Sequence, residues 1–228
     1  MTIEVITKDC TALTDAEMSD MADLSAAGAD WGVGVLSKQA EAWVLVSQAF
    51  EKGQLRGFVL STLERIGGTP ALLLGVGCVG RTKTRATTLR GLMHDQFHKA
   101  RMAFPDEDVV VATRMLDIGP LDAFKDLESI RPWPDERPNG EERAWGRRLA
   151  KRFDASDFDD RTMVARTTAE LLVFDHESLN GTTWTPRLSP GSTLHDLFSE
   201  CDRSTGRHLI AFGWAMAEFL DQFQKPAG

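Results

Sequence analysis

The pattern of hydrophobic positions changes period between Ala71 and Phe104. Ala71 to Val79, ALLLGVGCV, is a continuous apolar run too short for a helix, and it reads as a strand buried on both faces. After Gly80 and the basic turn Arg81-Thr82-Lys83-Thr84-Arg85-Ala86, apolar residues return at Leu89, Leu92, Met93, Phe97, Ala100 and Phe104. That spacing is near helical, and it leaves Arg90, Asp95, Lys99 and Arg101 to face water. A strand thus feeds an amphipathic helix through a cationic turn.

The same reading extends both ways. Thr14, three residues before Glu17, has capping-box spacing and opens a helix to Ala26 with Met18, Met21 and Leu24 on one face. Gly28 to Gly34 is read as a loop carrying Trp31, and Ser37 to Ala42 as a short helix. Trp43 to Phe50, the turn Glu51-Lys52-Gly53-Gln54, and Leu55 to Ile66 predict a hairpin. Gly67-Gly68-Thr69-Pro70 turns the chain into the Ala71 strand, so a three-strand meander precedes the basic turn.

Downstream, Asp108 to Met115 is a second buried-type strand, with Arg114 near its C-terminal end. Strand, crossover helix and strand predict a right-handed unit in which the two strands are parallel, with the basic turn at the carboxyl end of the first. Pro120 to Leu127 suggests a short helix, and Pro132, Pro134 and Pro138 an extended segment. Asn139 caps a helix from Gly140 to Phe153, Asp154 to Asp160 reads as an acidic loop, and Thr162–Thr168 with Glu170–Phe174 as one or two strands. Ser192 is placed as the cap of a helix through Cys201. His208 to Phe223 fits either a strand followed by a helix or one continuous helix.

Composition narrows the classes. The 228 residues with 42% hydrophobic content suffice for one substantial core, and a net charge of −8 disfavours bulk binding to nucleic acid or anionic membrane while allowing a local basic pocket. Cys10, Cys78 and Cys201 are too few and scattered for a disulfide framework or metal quartet. With no signal-like start and no apolar run of spanning length, the expectation is a cytoplasmic protein without a membrane segment. Asn180-Gly181-Thr182 matches a glycosylation sequon, which is irrelevant in that compartment.

The first turn of any helix presents backbone N–H groups without intrahelical partners and the positive end of the dipole. Thr84, Thr87 and Thr88 add hydroxyls there, and Arg81, Lys83 and Arg85 add charge, so the turn has the chemistry of a phosphate site. The competing reading is a solvated cationic loop. His94-Asp95-Gln96-Phe97-His98 imitates a zinc-protease helix, but Asp is shorter than the required Glu and no third ligand follows at evident spacing, so no metal is expected.

The order of parts resembles the GNAT superfamily of CoA-dependent N-acyltransferases, over roughly Thr11 to Arg131. The family's diphosphate loop runs Arg or Gln, two residues, Gly, one residue, Gly or Ala. Arg81 and Ala86 match its ends, Thr84 stands where Gly is expected, and the loop follows Val79 unusually closely. Ala112-Thr113-Arg114 and the later Pro-Trp-Pro are similar to bacterial-type members of unassigned substrate. The resemblance implies an α+β fold with a central mixed sheet flanked by helices. It also implies an acyl-CoA-binding core over residues 1–155, and a C-terminal extension, 156–228, on the same sheet.

The implied co-substrate is acetyl-CoA or another acyl-CoA, held by Cys78, Val79, Arg81, Thr82, Lys83, Thr84, Arg85, Ala86 and Thr87. The implied partner is a small-molecule or peptide amine, with Arg114 orienting an anionic substrate group or pairing with Asp117. The free edge of the Ala71–Val79 strand would pair with the pantetheine amides, and a homodimer is compatible with the family. The usual acid is a tyrosine, and the chain has none. Cys78 has suitable chemistry but sits in an apolar strand, where packing is the commoner role. No base is assignable, so the alternative is a GNAT-fold acyl-CoA-binding or regulatory protein without turnover.

Overall fold

The computed structural model describes residues 3–26, 30–167, 174–175, 188 and 190–223. It is a mixed α+β structure built on one ten-stranded sheet. The strands are β1 (Glu4–Asp9), β2 (Leu45–Glu51), β3 (Gln54–Ile66), β4 (Thr69–Val79), β5 (Val109–Met115), β6 (Glu128–Arg131), β7 (Ser156–Asp159), β8 (Val164–Arg166), β9 (Phe174–Asp175) and β10 (Arg207–Ala215). The helices are α1 (Asp15–Ser25), α2 (Val33–Ala42), α3 (Arg85–Ala103), α4 (Gly140–Arg152) and α5 (Ala217–Leu220). Spatial order is β1-β2-β3-β4-β5-β10-β8-β7, with β6 on β10 and β9 on β4.

Local chemistry accounts for the first half. The Thr14 hydroxyl accepts from Glu17 N–H while the Glu17 carboxylate accepts from Thr14 N–H, a closed capping box that starts α1. Lys52 and Gly53, both at positive φ, make the two-residue turn between β2 and β3, and Gly67 and Gly68 repeat it between β3 and β4. Such turns match strand twist, and they set the register of the antiparallel pairs. β4 and β5 are parallel, as the α3 crossover requires.

Two layers cover the sheet. A Cβ on Gly57 would meet Thr88 and Leu92, so that face of β3 lies under α3, which buries Leu89, Leu92, Met93, Phe97 and Ala100. Phe58, the next residue, turns to the other face and packs edge-on against Trp31, ahead of α2. Glu64, on that second face, is paired with Arg152 at the end of α4. The first face also takes α5, through the Phe97–Phe219 contact. Burying these apolar faces, at roughly 25 cal/mol per Å², is the main force holding the layers.

Several expectations are corrected. The meander has four strands, because Glu4–Asp9 pairs along β2. Helix α2 begins at Val33, four residues before Ser37. Pro120–Leu127 holds only a 3₁₀ turn, Gly119–Ala123. The acidic loop contains β7, whose polar residues suit an edge strand. Thr193, not Ser192, caps a 3₁₀ turn that ends at Phe198. His208–Phe223 is a strand followed by a short helix. The sequon at Asn180 and most of Glu170–Phe174 lie outside the described residues.

Candidate functional site

The site begins where β4 and β5 part. Their ladder holds only at Ala71–Val110, Leu72–Val111 and Leu73–Ala112. The Thr113 hydroxyl then donates to the Leu74 carbonyl at 2.7 Å, satisfying the first β4 acceptor that β5 leaves behind. At the same level β4 bulges: Val59 faces Gly77 and Ser61 faces Leu74, so Leu60 stands against both Gly75 and Val76. Trp43 lies on Gly75 so closely that a Cβ there would sit 2.2 Å from its ring. The Trp43 Nε1–H is anchored on Gln39 Oε1 at 3.3 Å.

Above the bulge, the edge of β4 that faces β5 across the fork is not bare. The backbone of β9 runs parallel to it, with Phe174 opposite Gly77 and Asp175 opposite Cys78. The expected free edge at Cys78 therefore carries a short strand of the chain itself. Cys78 and Val79 are both buried, and Cys78 forms no disulfide. Burial pushes the Cys10 thiol up to about 12 and the Cys201 thiol up to about 11, so both stay protonated.

The basic turn follows directly. Gly80 N–H donates to Arg56 O at 2.8 Å, which ties the end of β4 to β3. Thr82 N–H folds back on Gly80 O, and Arg85 N–H bonds Thr82 O at 3.2 Å as α3 starts. No side chain caps α3, and no acidic residue lies in its first turn. Thr84 takes φ −95° and ψ 4°, a conformation open to any L-residue, so the residue in the glycine position carries no backbone strain. Its hydroxyl is 3.0 Å from Thr82 Oγ1 and 3.5 Å from Glu51 Oε2, and Glu51 is in turn paired with Arg56 at 3.2 Å.

Arg81, Lys83 and Ala86 are exposed, while Thr82, Thr84, Arg85 and Thr87 are half-buried. Arg81 and Arg85 are each already engaged by a neighbouring group. The structure thus brings Cys78 to Thr87 into one continuous path, from the β4 edge around the turn to the start of α3. Beside that path lies a cavity of about 200 Å³. Leu89, Met93 and Phe97 give it an apolar floor, Asp122 lines it from a buried position, and the exposed Arg90, Lys125 and Asp126 stand at its rim.

No protein-family model matches the sequence, and no curated protein does. Solved structures do align with it. The Enterococcus faecium aminoglycoside 6'-N-acetyltransferase is 16% identical with a TM-score of 0.38, the alignment covering 50% of this chain and 64% of that one. An acyl-CoA N-acyltransferase from Pseudomonas aeruginosa is 13% identical at a TM-score of 0.35, covering 49% and 79%. The Escherichia coli ribosomal-protein-S18-alanine N-acetyltransferase is 10% identical at 0.40, covering 60% and 86%. At such low scores the likeness says nothing about activity.

Arg114 stands apart from the turn, at the end of β5, on the face that carries α2 and α4. Its guanidinium lies 5.4 Å over the Phe153 ring. The alternative ion pair with Asp117 is not found among the described residues, and Asp117 Oδ1 accepts from Gly119 N–H. Of the two histidines of α3, His94 is exposed and His98 half-buried. His98 Nδ1 donates to the Phe223 carbonyl at 2.7 Å, and the His94 ring packs edge-on against Phe223. Among the described residues no three His, Cys, Asp or Glu side chains cluster as metal ligands would, and no helix is long and apolar enough to cross a membrane.

Sequence reasoning missed Thr113, Trp43, Glu51 and His208. Thr113 and Trp43 matter through a fork and a bulge that no local pattern encodes. Glu51 was read only as a turn residue.

Proposed function

We propose that the chain is an acyl-CoA-dependent N-acyltransferase of the GNAT type. The observation that carries this reading is the fork: β4 and β5 part at Leu74, and the arm of β4 that leaves the ladder ends in the basic turn at the start of α3. A CoA ester laid along that arm puts its diphosphate against the first-turn N–H groups and the charges of Arg81, Lys83 and Arg85. We assign the adenosine end to the adjacent cavity, whose lining carries Arg90 and Lys125 along with Asp122 and Asp126. In the reaction a neutral amine attacks the thioester carbonyl, the C–S bond breaks, the thiolate takes up a proton, and the amine nitrogen gives one up.

A second reading, an acyl-CoA-binding or regulatory protein without turnover, draws on two specific observations. β9 holds the β4 edge at Gly77 and Cys78, where pantetheine would pair, and the chain has no tyrosine to serve as acid.

Titration calorimetry with CoA, pantetheine and acetyl-CoA tests the binding that both readings share. Replacing Arg81 and Arg85 together by alanine is expected to weaken CoA by about tenfold or more, because each charge-assisted contact contributes roughly 1.5–3 kcal/mol, while pantetheine is little affected. Equal CoA affinity in both proteins would remove the turn from the site. Thr84→Gly sharpens the result: tighter binding marks Thr84 as an obstruction, weaker binding marks its hydroxyl as a phosphate ligand. Steady-state release of free CoA with a panel of amines then separates the enzyme from the binding protein.

A further inference from the structure

Arg114 sits two residues past the last β4–β5 pair, Leu73–Ala112, so its side chain leaves the sheet beside the mouth of the fork. It does so on the face where Trp43 covers Gly75. The described groups placed against it are uncharged. Phe153 offers the face of its ring, and Ile210 is the opposite residue on β10. His208, diagonal to it on the same face of β10, is fully buried. Its Nδ1–H donates to Gly206 O at 3.1 Å, and Nε2 has no partner among the described residues. Burial, with the nearby Arg114 charge adding to it, pushes His208 down to about 4, so the imidazole is neutral at physiological pH.

The guanidinium itself remains charged. Burial lowers it to about 10, and among the described residues no carboxylate pairs with it. Arg114 is half-buried, and a partly buried cation with no counter-ion among the described residues is unfavourable, a cost that a ring face offsets only in part. The placement makes sense if the anion arrives from outside.

We propose that Arg114 receives a carboxylate carried by a substrate. The planar fork of N–H donors suits a bidentate carboxylate, and the uncharged Phe153 and His208 leave its charge available. The identity of that substrate rests on the acyltransferase reading, whereas the anion site itself does not. Two co-substrates can supply the group: an amine acceptor such as an α-amino acid, or a dicarboxylic acyl chain on CoA.

The first test is titration of succinate and glutamate into wild type, Arg114→Met and Arg114→Lys. Binding at least tenfold weaker in the Met variant, with the Lys variant between, is expected. Equal affinity in the Met variant overturns the site. The second test compares kcat/KM across two arms. In one, acetyl-CoA is paired with α-amino acids and with the corresponding decarboxylated amines. In the other, succinyl-CoA and acetyl-CoA are compared with one neutral amine. A tenfold loss confined to the amino acids assigns the carboxylate to the acceptor, and one confined to succinyl-CoA assigns it to the acyl chain. A fall in Tm with both ratios unchanged marks Arg114 as purely structural and overturns the proposal. If CoA never binds wild type while succinate still depends on Arg114, the acyltransferase reading falls and the anion site stands.

Discussion

The two edges of β5 differ completely. Toward β10 it is zipped along its whole length, from Val109 opposite Ala215 to Met115 opposite Leu209. Toward β4 it pairs only from Val110 to Ala112 and then departs. One strand therefore has an edge whose hydrogen bonds are all satisfied within the sheet and an edge that stops short. Backbone groups released by a splayed strand must find other partners, and here they find a side chain, Thr113, and a second segment of the chain, β9. The closed edge should respond to substitution through stability, and the open edge through ligand binding.

The largest effect is expected on the closed edge. Phe212 is 1% exposed in the middle of β10, and Phe212→Ala should cost about 3–5 kcal/mol by lost burial and a residual cavity. Urea unfolding would show this as a lower midpoint. A loss below about 1 kcal/mol would mean that the β5–β10 seam is not part of the core.

His208 gives the next effect, and its sign is fixed. Its folded-state pKa, about 4, lies below the ordinary value of 6.5, so the unfolded chain binds the extra proton over that interval. Stability from this group is fully present above pH 6.5 and is lost as pH falls toward 4, up to about 3 kcal/mol in all. Midpoints measured across that range should fall less steeply in His208→Leu than in wild type, and parallel profiles would contradict the burial.

At the branch point itself, Thr113→Val keeps the shape but removes the donor to the Leu74 carbonyl. Leaving that acceptor buried without its hydroxyl should cost about 1–3 kcal/mol. Thr113→Ser, which keeps the hydroxyl, should recover most of the loss in the same denaturation experiment.

The difference between the two edges also explains what could be read from the sequence. The helices from Thr14 and Asn139, the glycine turns at Gly53 and Gly67-Gly68, and the β4–turn–α3 junction announce themselves locally, by caps, positive-φ residues and periodicity. β1 and β7 do not, because edge strands such as EVITKD and SDFD mix charge with few apolar positions. In the site, the basic turn is legible as a cluster of cations. The fork, the bulge under Trp43 and the pairing of β9 arise from contacts distant in sequence, and a pattern reading has no access to them. Arg114 was legible as a residue but not in its surroundings, since its neighbours come from α4 and β10.

The smallest effect on stability, and the sharpest probe of the open edge, comes from β9. Phe174→Pro removes a backbone N–H and fixes φ in a strand only two residues long, so its pairing with Gly77 and Cys78 should weaken. Because so short a strand adds little to the core, unfolding free energy should change by less than about 1 kcal/mol. If pantetheine and β9 compete for the same edge of β4, freeing that edge lowers the cost of ligand entry, and CoA should bind severalfold more tightly to the variant. Adenosine 3',5'-bisphosphate, which has no pantetheine arm, should bind both proteins alike. Calorimetry with the two ligands separates the cases. A gain confined to CoA places the arm on β4 beside Cys78, whereas equal CoA affinity in the two proteins means that the arm takes another path and that β9 belongs to the sheet as a permanent strand.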